Sequence, residues 1–104
     1  MAFNFNLVIS DMTNAIRENS ADEAGKIGTY AKTVMEKEKI FLQELAQARL
    51  VGDISEQEFN DEVEREKKVL QAELLTLKIM GKAMAQKAVN AAMGVFIDAI
   101  KVAI

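Results

Sequence analysis

Apolar residues near the start of the chain recur at the three- and four-residue spacing of an amphipathic helix. They are Phe5, Val8, Ile9, Met12 and Ile16. This pattern predicts a short first helix over residues 5–17, with its apolar side chains on a single face. Either Asn4 or Asn6 provides the side chain that caps its start, and Glu18 and Asn19 interrupt the pattern.

A second and longer helix is predicted over residues 21–51. Ser20 and Glu23 stand at the spacing of a capping box, in which each side chain satisfies a backbone amide of the first turn. The apolar positions that follow form a heptad-like series with Glu38 as its polar interruption, and such a stripe requires a helical partner. These positions are Ala24, Ile27, Ala31, Val34, Phe41, Leu45 and Ala48.

The next helix along the chain is the predicted partner. Gly52 suits the left-handed conformation that ends many helices, and Asp53 suits a turn. Ser55 and Glu58 form a second capping box, so a third helix is expected to begin at about residue 56. Because the turn at 52–55 is so short, the two long helices should form an antiparallel hairpin.

The third helix is predicted to continue to about residue 103, because one apolar stripe runs through the C-terminal half without a change of register. At the standard helical rise it would be roughly 70 Å long, against roughly 45 Å for the second helix. Residues 88–104 would then extend beyond the hairpin, and they are the most apolar part of the chain. Gly81 and Gly94 are the two positions where a kink would shorten this overhang.

The overhang has an apolar arc of roughly 200°, about twice that of an ordinary surface helix. The first helix carries few large side chains with which to cover it. We therefore predict that a second chain packs there and that the protein is a homo-oligomer, most simply a dimer. The residues assigned to this interface are Met84, Ala88, Ala92, Val95, Phe96, Ala99, Ile100 and Val102.

The composition supports an all-α fold. The 104 residues contain no proline and only five glycines, and half of them are hydrophobic, a mixture that favours helix. The alternation of apolar and polar residues that is typical of strands is missing. We predict a single all-α domain over residues 1–104. Its long antiparallel helical hairpin, of coiled-coil type, and its short N-terminal helix assemble into a helical bundle.

The residue types absent from the sequence exclude several kinds of chemistry. Without cysteine or histidine, the chain has no thiolate nucleophile, no disulfide, no zinc-thiolate site and no imidazole base. The net charge of −3 argues against nucleic-acid binding, which requires a basic surface. Residues 1–6 lack the basic region of a secretory signal, so a cytoplasmic location is expected.

Three glutamates on or near the predicted apolar stripes are the remaining candidates for a chemical site. These are Glu38, Glu66 and Glu73, and pairing the hairpin outward from its turn places Glu38 within a turn or two of Glu66, as carboxylates are placed in metal-binding bundles. Such bundles also use histidine, which this chain lacks. We therefore interpret these glutamates as residues that flank the seam and pair with lysines such as Lys37 and Lys67. We predict no catalytic residue, no cofactor and no metal.

The sequence as a whole predicts a non-enzymatic structural or protein-interaction module that forms a homo-oligomeric helical bundle. The alternative is a membrane-associated protein that uses the amphipathic segment 79–104. Lys82, Lys87 and Asp98 interrupt that segment too often for a transmembrane span. An interfacial helix would carry more basic residues and a tryptophan anchor. Contact with another protein is therefore preferred to contact with a bilayer.

Overall fold

Four α-helices account for the fold. The computed structural model describes residues 3–20, 26–78 and 80–104. Within these segments the helices are α1 (Phe5–Glu18), α2 (Lys26–Leu50), α3 (Glu56–Thr76) and α4 (Lys82–Ala103), and no strand occurs. The predicted all-α class is confirmed.

Two of the predicted helix starts are confirmed by their caps. Oδ1 of Asn4 accepts a hydrogen bond from the backbone N–H of Leu7 at 3.1 Å. At the start of α3, the Ser55 hydroxyl accepts from the N–H of Glu58, and the Glu58 carboxylate accepts from the N–H of Ser55, both at 3.1 Å. These bonds satisfy amides that the first turn of a helix leaves without a backbone partner.

Ser20, the predicted cap of the second helix, acts at the end of α1. Its side chain is buried, and its hydroxyl donates a hydrogen bond to the carbonyl oxygen of Ile16. The predicted capping box with Glu23 lies outside the described residues. Ser20 therefore satisfies one of the carbonyl groups that the last turn of α1 leaves without a partner.

The turn between α2 and α3 is the predicted one. Gly52 has a φ of 82°, in the left-handed region that residues with a Cβ rarely adopt. The N–H of Asp53 donates to the carbonyl oxygen of Ala48 at 2.8 Å, which closes the end of α2. This tight turn places α2 and α3 side by side as an antiparallel hairpin.

The predicted third helix is wrong in its length, because this part of the chain forms two helices, with α3 ending at Thr76 and α4 beginning at Lys82. Leu77 ends α3, Lys78 has a φ of 56°, and Gly81 takes the N-cap position of α4 in an extended conformation. A continuous helix would leave the wide apolar arc of its last turns in water, whereas the bend folds that arc back onto the other helices. The overhang is therefore absent, and the molecule measures 40 × 25 × 19 Å.

The helices pack around one shared core, and α2 and α4 also touch across it. α1 packs most extensively on α4 and also on α2, while α3 packs on α2 and α4. Because the connections are short, successive helices run antiparallel, as in an up-down-up-down bundle. Phe59 at the start of α3 and Phe96 in the second half of α4 stack with their ring centroids 6.0 Å apart, as the antiparallel arrangement of these two helices requires.

The cover for α4, which the sequence pattern assigned to a second chain, comes from α1. Met12 and Ile16 of α1 have no exposed surface and belong to the same core as the buried residues of α4. A short helix is sufficient because a helix that lies along two others buries side chains from every turn of its inner face. The wide apolar arc of α4 is thus covered mainly by α1 and α3, with a smaller contact from α2.

Two glycines are expected to respond oppositely to replacement by alanine. Gly94 lies within α4, where an added Cβ meets no atom within 4 Å, so Gly94→Ala should raise the free energy of unfolding by about 0.5–1 kcal/mol. Gly52 has equally open surroundings but a left-handed backbone, so Gly52→Ala should lower it by about 1 kcal/mol. Urea unfolding followed by circular dichroism compares the two variants. Effects of the same sign would contradict this assignment.

Candidate functional site

The most unusual polar residue of the interior is Glu66 on α3. It is only 3% exposed and occupies a core position in a row of buried side chains at heptad-like spacing. The other members of the row are Phe59, Val63, Leu70 and Leu74. A carboxyl group at such a position is costly unless it is neutral or hydrogen-bonded, so its state depends on its neighbours.

Glu66 lies beside two other glutamates, Glu38 of α2 and Glu73 of α3. Burial, a hydrogen bond with Glu38 and the negative charges of both neighbours raise the pKa of Glu66 from 4.5 to about 9. Burial, followed by the hydrogen bond and the charge of Glu38, raises the pKa of Glu73 to about 7, while the cation Lys37 acts in the opposite direction. Glu66 is therefore neutral at pH 7 and has a proton to donate to Glu38.

The chemistry available to this cluster is proton binding. Oε2 of Glu66 and Oε2 of Glu73 are buried without a hydrogen-bond partner in the described chain, and the burial of Glu66 keeps solutes away from its carboxyl group. Within residues 3–20, 26–78 and 80–104, no set of three or more acidic, histidine or cysteine side chains is placed to hold a metal ion. The cluster therefore makes the free energy of unfolding depend on pH.

The prediction that these glutamates pair with lysines is wrong for Glu66. The groups that interact with its carboxyl are the two other glutamates, while Lys67 is paired with Glu64 at 3.2 Å. The heptad position of Glu66 turns it towards α2, whereas Lys67 lies about 100° further around the helix. A lysine adjacent in sequence is thus on the wrong side to neutralise it.

A second candidate site is the outer face of α2, where large apolar side chains meet solvent. Ile40 is 70% exposed and Phe41 is 38% exposed, although the predicted stripe places Phe41 in the core. Leu42 is fully buried instead, while Ala31, Val34 and Leu45 of the predicted stripe stay buried, so the core face is shifted away from Phe41 by less than one residue. The reason is that α2 packs on α1 as well as on α3, and its buried face must lie between both neighbours.

Phe41 lines an open groove between α2 and α3 with a volume of about 400 Å³. The groove is also lined by the apolar side chains of Leu45, Ala48 and Ile54. Its charged side chains are Glu44, Glu58, Asp61, Glu62 and Arg65. An exposed apolar strip with charged edges is typical of a surface that binds another protein.

The eight residues predicted to form an oligomer interface do not share one surface. Met84, Val95 and Ala99 are half-buried, and Val102 is 75% exposed. The other four are at most 1% exposed within the single chain and are part of its core. These four are Ala88, Ala92, Phe96 and Ile100. They are thus not available to a second chain in the folded state, while assembly itself remains a prediction.

Helix α4 makes up most of the amphipathic segment 79–104, of which residues 80–104 are described. Its apolar residues belong to the core that α1 and α3 complete. Across the described parts of the chain, the helices are too short or too polar to cross a membrane. Contact of this segment with a bilayer would therefore require α4 to leave the bundle.

The exposed pair Ile40 and Phe41 is the feature that the sequence pattern did not identify as a surface. Adjacent residues of a helix point about 100° apart, so the three consecutive residues Ile40, Phe41 and Leu42 cannot all face the core. This adjacency was the available signal. Which of the three would be exposed depended on the position of α1, which the sequence pattern did not provide.

Comparison with known proteins adds no family to this description. The chain matches no protein-family model, no curated protein and no solved structure. The case for a function therefore rests on the surface of α2 and on the buried carboxyl cluster.

Proposed function

We propose that the protein is a non-enzymatic interaction module that self-associates, most simply as a dimer, through the outer face of α2. The observation that carries this proposal is the exposure of Ile40 next to Phe41, which lines the groove between α2 and α3. Large apolar side chains that lie side by side in water are better covered than exposed, and contiguous patches of this kind mark interaction sites.

The non-enzymatic part of the proposal is supported by the chemistry that the chain carries. General acid–base catalysis requires a titratable group within hydrogen-bonding distance of the substrate, but Glu66, whose pKa is raised furthest, is buried. The sequence has no histidine or cysteine to take its place. A cytoplasmic location remains a prediction from the sequence.

The alternative, membrane association through segment 79–104, has less support. The apolar side chains that would enter a bilayer belong to the core, with Phe96 and Ile100 at most 1% exposed. Releasing them would expose apolar surface of α1 and α3 at the same time. The surface of α2 requires no such opening before it can bind.

The proposal predicts a molecular mass that depends on concentration and on Ile40. Light scattering after size-exclusion chromatography should give a mass that rises from the 11.5 kDa of one chain towards twice that value. Ile40→Glu should weaken the association by about tenfold or more, because it buries an unpaired charge in the contact. Since Ile40 is already mostly exposed in one chain, the variant should keep its helical content.

Leu7→Glu is the matched control, because Leu7 is 56% exposed but lies on α1. Its mass should follow that of the original protein. Equal loss of association in both variants would indicate a general effect of charge and would count against α2. A mass of one chain at every concentration up to about 1 mM would refute self-association.

A further inference from the structure

The charged and apolar side chains on the outer face of α2 match those of a second α2 that runs in the opposite direction. The face is formed by the exposed residues Tyr30, Lys37, Ile40, Phe41, Glu44 and Val51. Four of them follow one another at intervals of seven residues, close to two helical turns, so they lie along one side of the helix. These four are Tyr30, Lys37, Glu44 and Val51. Val51 extends this side, since its N–H donates to the carbonyl oxygen of Gln47 at 3.0 Å.

The midpoint of this face lies between Ile40 and Phe41. Lys37 and Glu44 stand roughly 5 Å along the helix axis on either side of the midpoint, and Tyr30 and Val51 roughly 16 Å on either side. When the helix is turned end to end, Lys37 and Glu44 exchange places, and so do Tyr30 and Val51. The first exchange swaps a basic side chain for an acidic one, and the second swaps one apolar side chain for another. A surface with this order fits a second copy of itself when the two run in opposite directions.

We propose that a second copy of the chain docks on this face with its α2 antiparallel to the first, related by a two-fold axis that passes between Ile40 and Phe41. The proposal rests on the self-association proposed above and names its contact. Each Lys37 then faces Glu44 of the second copy, and the central apolar side chains pack on each other. Such a contact is closed, because the same patch is used by both chains.

Other arrangements fit the charges less well. A parallel pairing in the same register would set Lys37 against Lys37 of the second copy and Glu44 against Glu44, which is unfavourable. A basic helix from a different protein would match Glu44, Glu58 and the other acidic residues of the groove, but it would meet Lys37 on the same face. An antiparallel second copy gives both Lys37 and Glu44 a partner of opposite charge.

Charge reversal tests this register. Lys37→Glu alone and Glu44→Lys alone each create two like-charged contacts in a two-fold dimer and should each raise the dissociation constant by about tenfold. The double variant Lys37→Glu/Glu44→Lys restores opposite charges across the axis, so its dissociation constant should return to within about threefold of the original. Sedimentation equilibrium measures the three constants.

The double variant also controls for the effect of Lys37→Glu on the buried carboxyl cluster. Lys37 lowers the pKa of Glu73, so Lys37→Glu alters the carboxyl cluster as well as the surface. The double variant carries the same change, and its recovery therefore assigns the loss to the contact with Glu44. Lys32→Glu and Glu36→Lys provide matched reversals on the side of α2 that lines a groove with α1, and neither should change the dissociation constant.

Crosslinking gives a second measure of direction. The chain contains no cysteine, so Thr33→Cys and Ala48→Cys each introduce a single thiol, at positions equally distant from the proposed axis. In a mixture of the two variants, a short thiol-reactive linker should join residue 33 of one chain to residue 48 of the other. Predominant links between identical positions would overturn the antiparallel arrangement.

The outcomes separate this inference from the function on which it rests. A dimer that forms normally in all charge variants and in Ile40→Glu would overturn the α2 contact but leave self-association standing. A single chain at every concentration would remove both. If that single chain binds a lysine-rich amphipathic peptide, and Ile40→Glu abolishes the binding, then the face belongs to a basic helix of another protein and not to a second copy.

Discussion

Replacement of Phe96 by alanine is expected to lower the free energy of unfolding by about 3–5 kcal/mol. The side chain is fully buried, and its ring stacks on Phe59 with the ring planes inclined by 22°. Removing the ring leaves a cavity between α3 and α4 that the surrounding helices fill only in part. For a domain of this size the loss is a large part of the total stability.

Urea unfolding at several protein concentrations measures this effect and distinguishes two roles for Phe96. A core residue lowers stability by a similar amount at every concentration, whereas a residue of an oligomer interface acts mainly where the oligomer forms. Val102→Ala is the control on the same helix, because Val102 is 75% exposed, and it should change stability by less than about 0.5 kcal/mol. A loss below about 1 kcal/mol for Phe96→Ala would contradict the packing of α4 in the chain.

Glu66→Gln is expected to stabilise the protein at neutral and alkaline pH and to have little effect in acid. The pKa of Glu66 rises from 4.5 in the unfolded chain to about 9 in the fold. The native state therefore holds more protons than the unfolded state between these values, and the free energy of unfolding falls as the pH rises through them. Glutamine stays neutral at every pH, so this dependence is lost in the variant.

Thermal and urea unfolding between pH 4 and pH 9 give the measurement. At pH 8 the variant should be about 1–3 kcal/mol more stable than the original protein, and near pH 4 the two should be similar. Glu73, whose pKa is raised to about 7, should retain a smaller decline in stability between pH 4.5 and 7. Glu62→Gln is the surface control, since Glu62 pairs with Arg65 on the outside of α3. A gain at pH 8 equal to the gain at pH 4 would show that Glu66 is not the source of the pH dependence.

The local features of the fold were predictable from short stretches of sequence. The cap at Asn4, the capping box of Ser55 with Glu58 and the turn at Gly52 are all confirmed. Each depends on side chains that interact with the backbone three or four residues away. Such contacts form in almost any surroundings, so the local sequence is sufficient to identify them.

The division between α3 and α4 was less accessible. Leu77, Lys78 and Met80 are residues that favour helix, and Gly81 is the single local sign of a break. Lys78 nevertheless takes a left-handed conformation, which costs an isolated chain roughly 1–2 kcal/mol. The burial of the apolar face of α4 against the other helices offsets that cost, and α1, which packs most extensively on α4, is distant in sequence.

The candidate sites were also predictable only in part. The spacing along the hairpin correctly placed Glu38 near Glu66, but it did not indicate that Glu73 lies beside them or that Glu66 is buried and protonated. The outer face of α2 was missed because the predicted stripe placed Phe41 in the core, whereas Leu42 is buried and both Ile40 and Phe41 are exposed. Exposure and pKa depend on every helix that surrounds a residue, so a pattern within one helix does not predict them.

Helix type, helix starts and the tight turn of the hairpin are thus properties of the sequence, since they arise from helix propensity and from contacts within one or two turns. The bend at residues 77–81, the cover of α4 by α1 and the exposure of Ile40 arise only in the tertiary structure. They depend on which of several apolar faces meet, and that choice is made by the total apolar surface that four helices bury together.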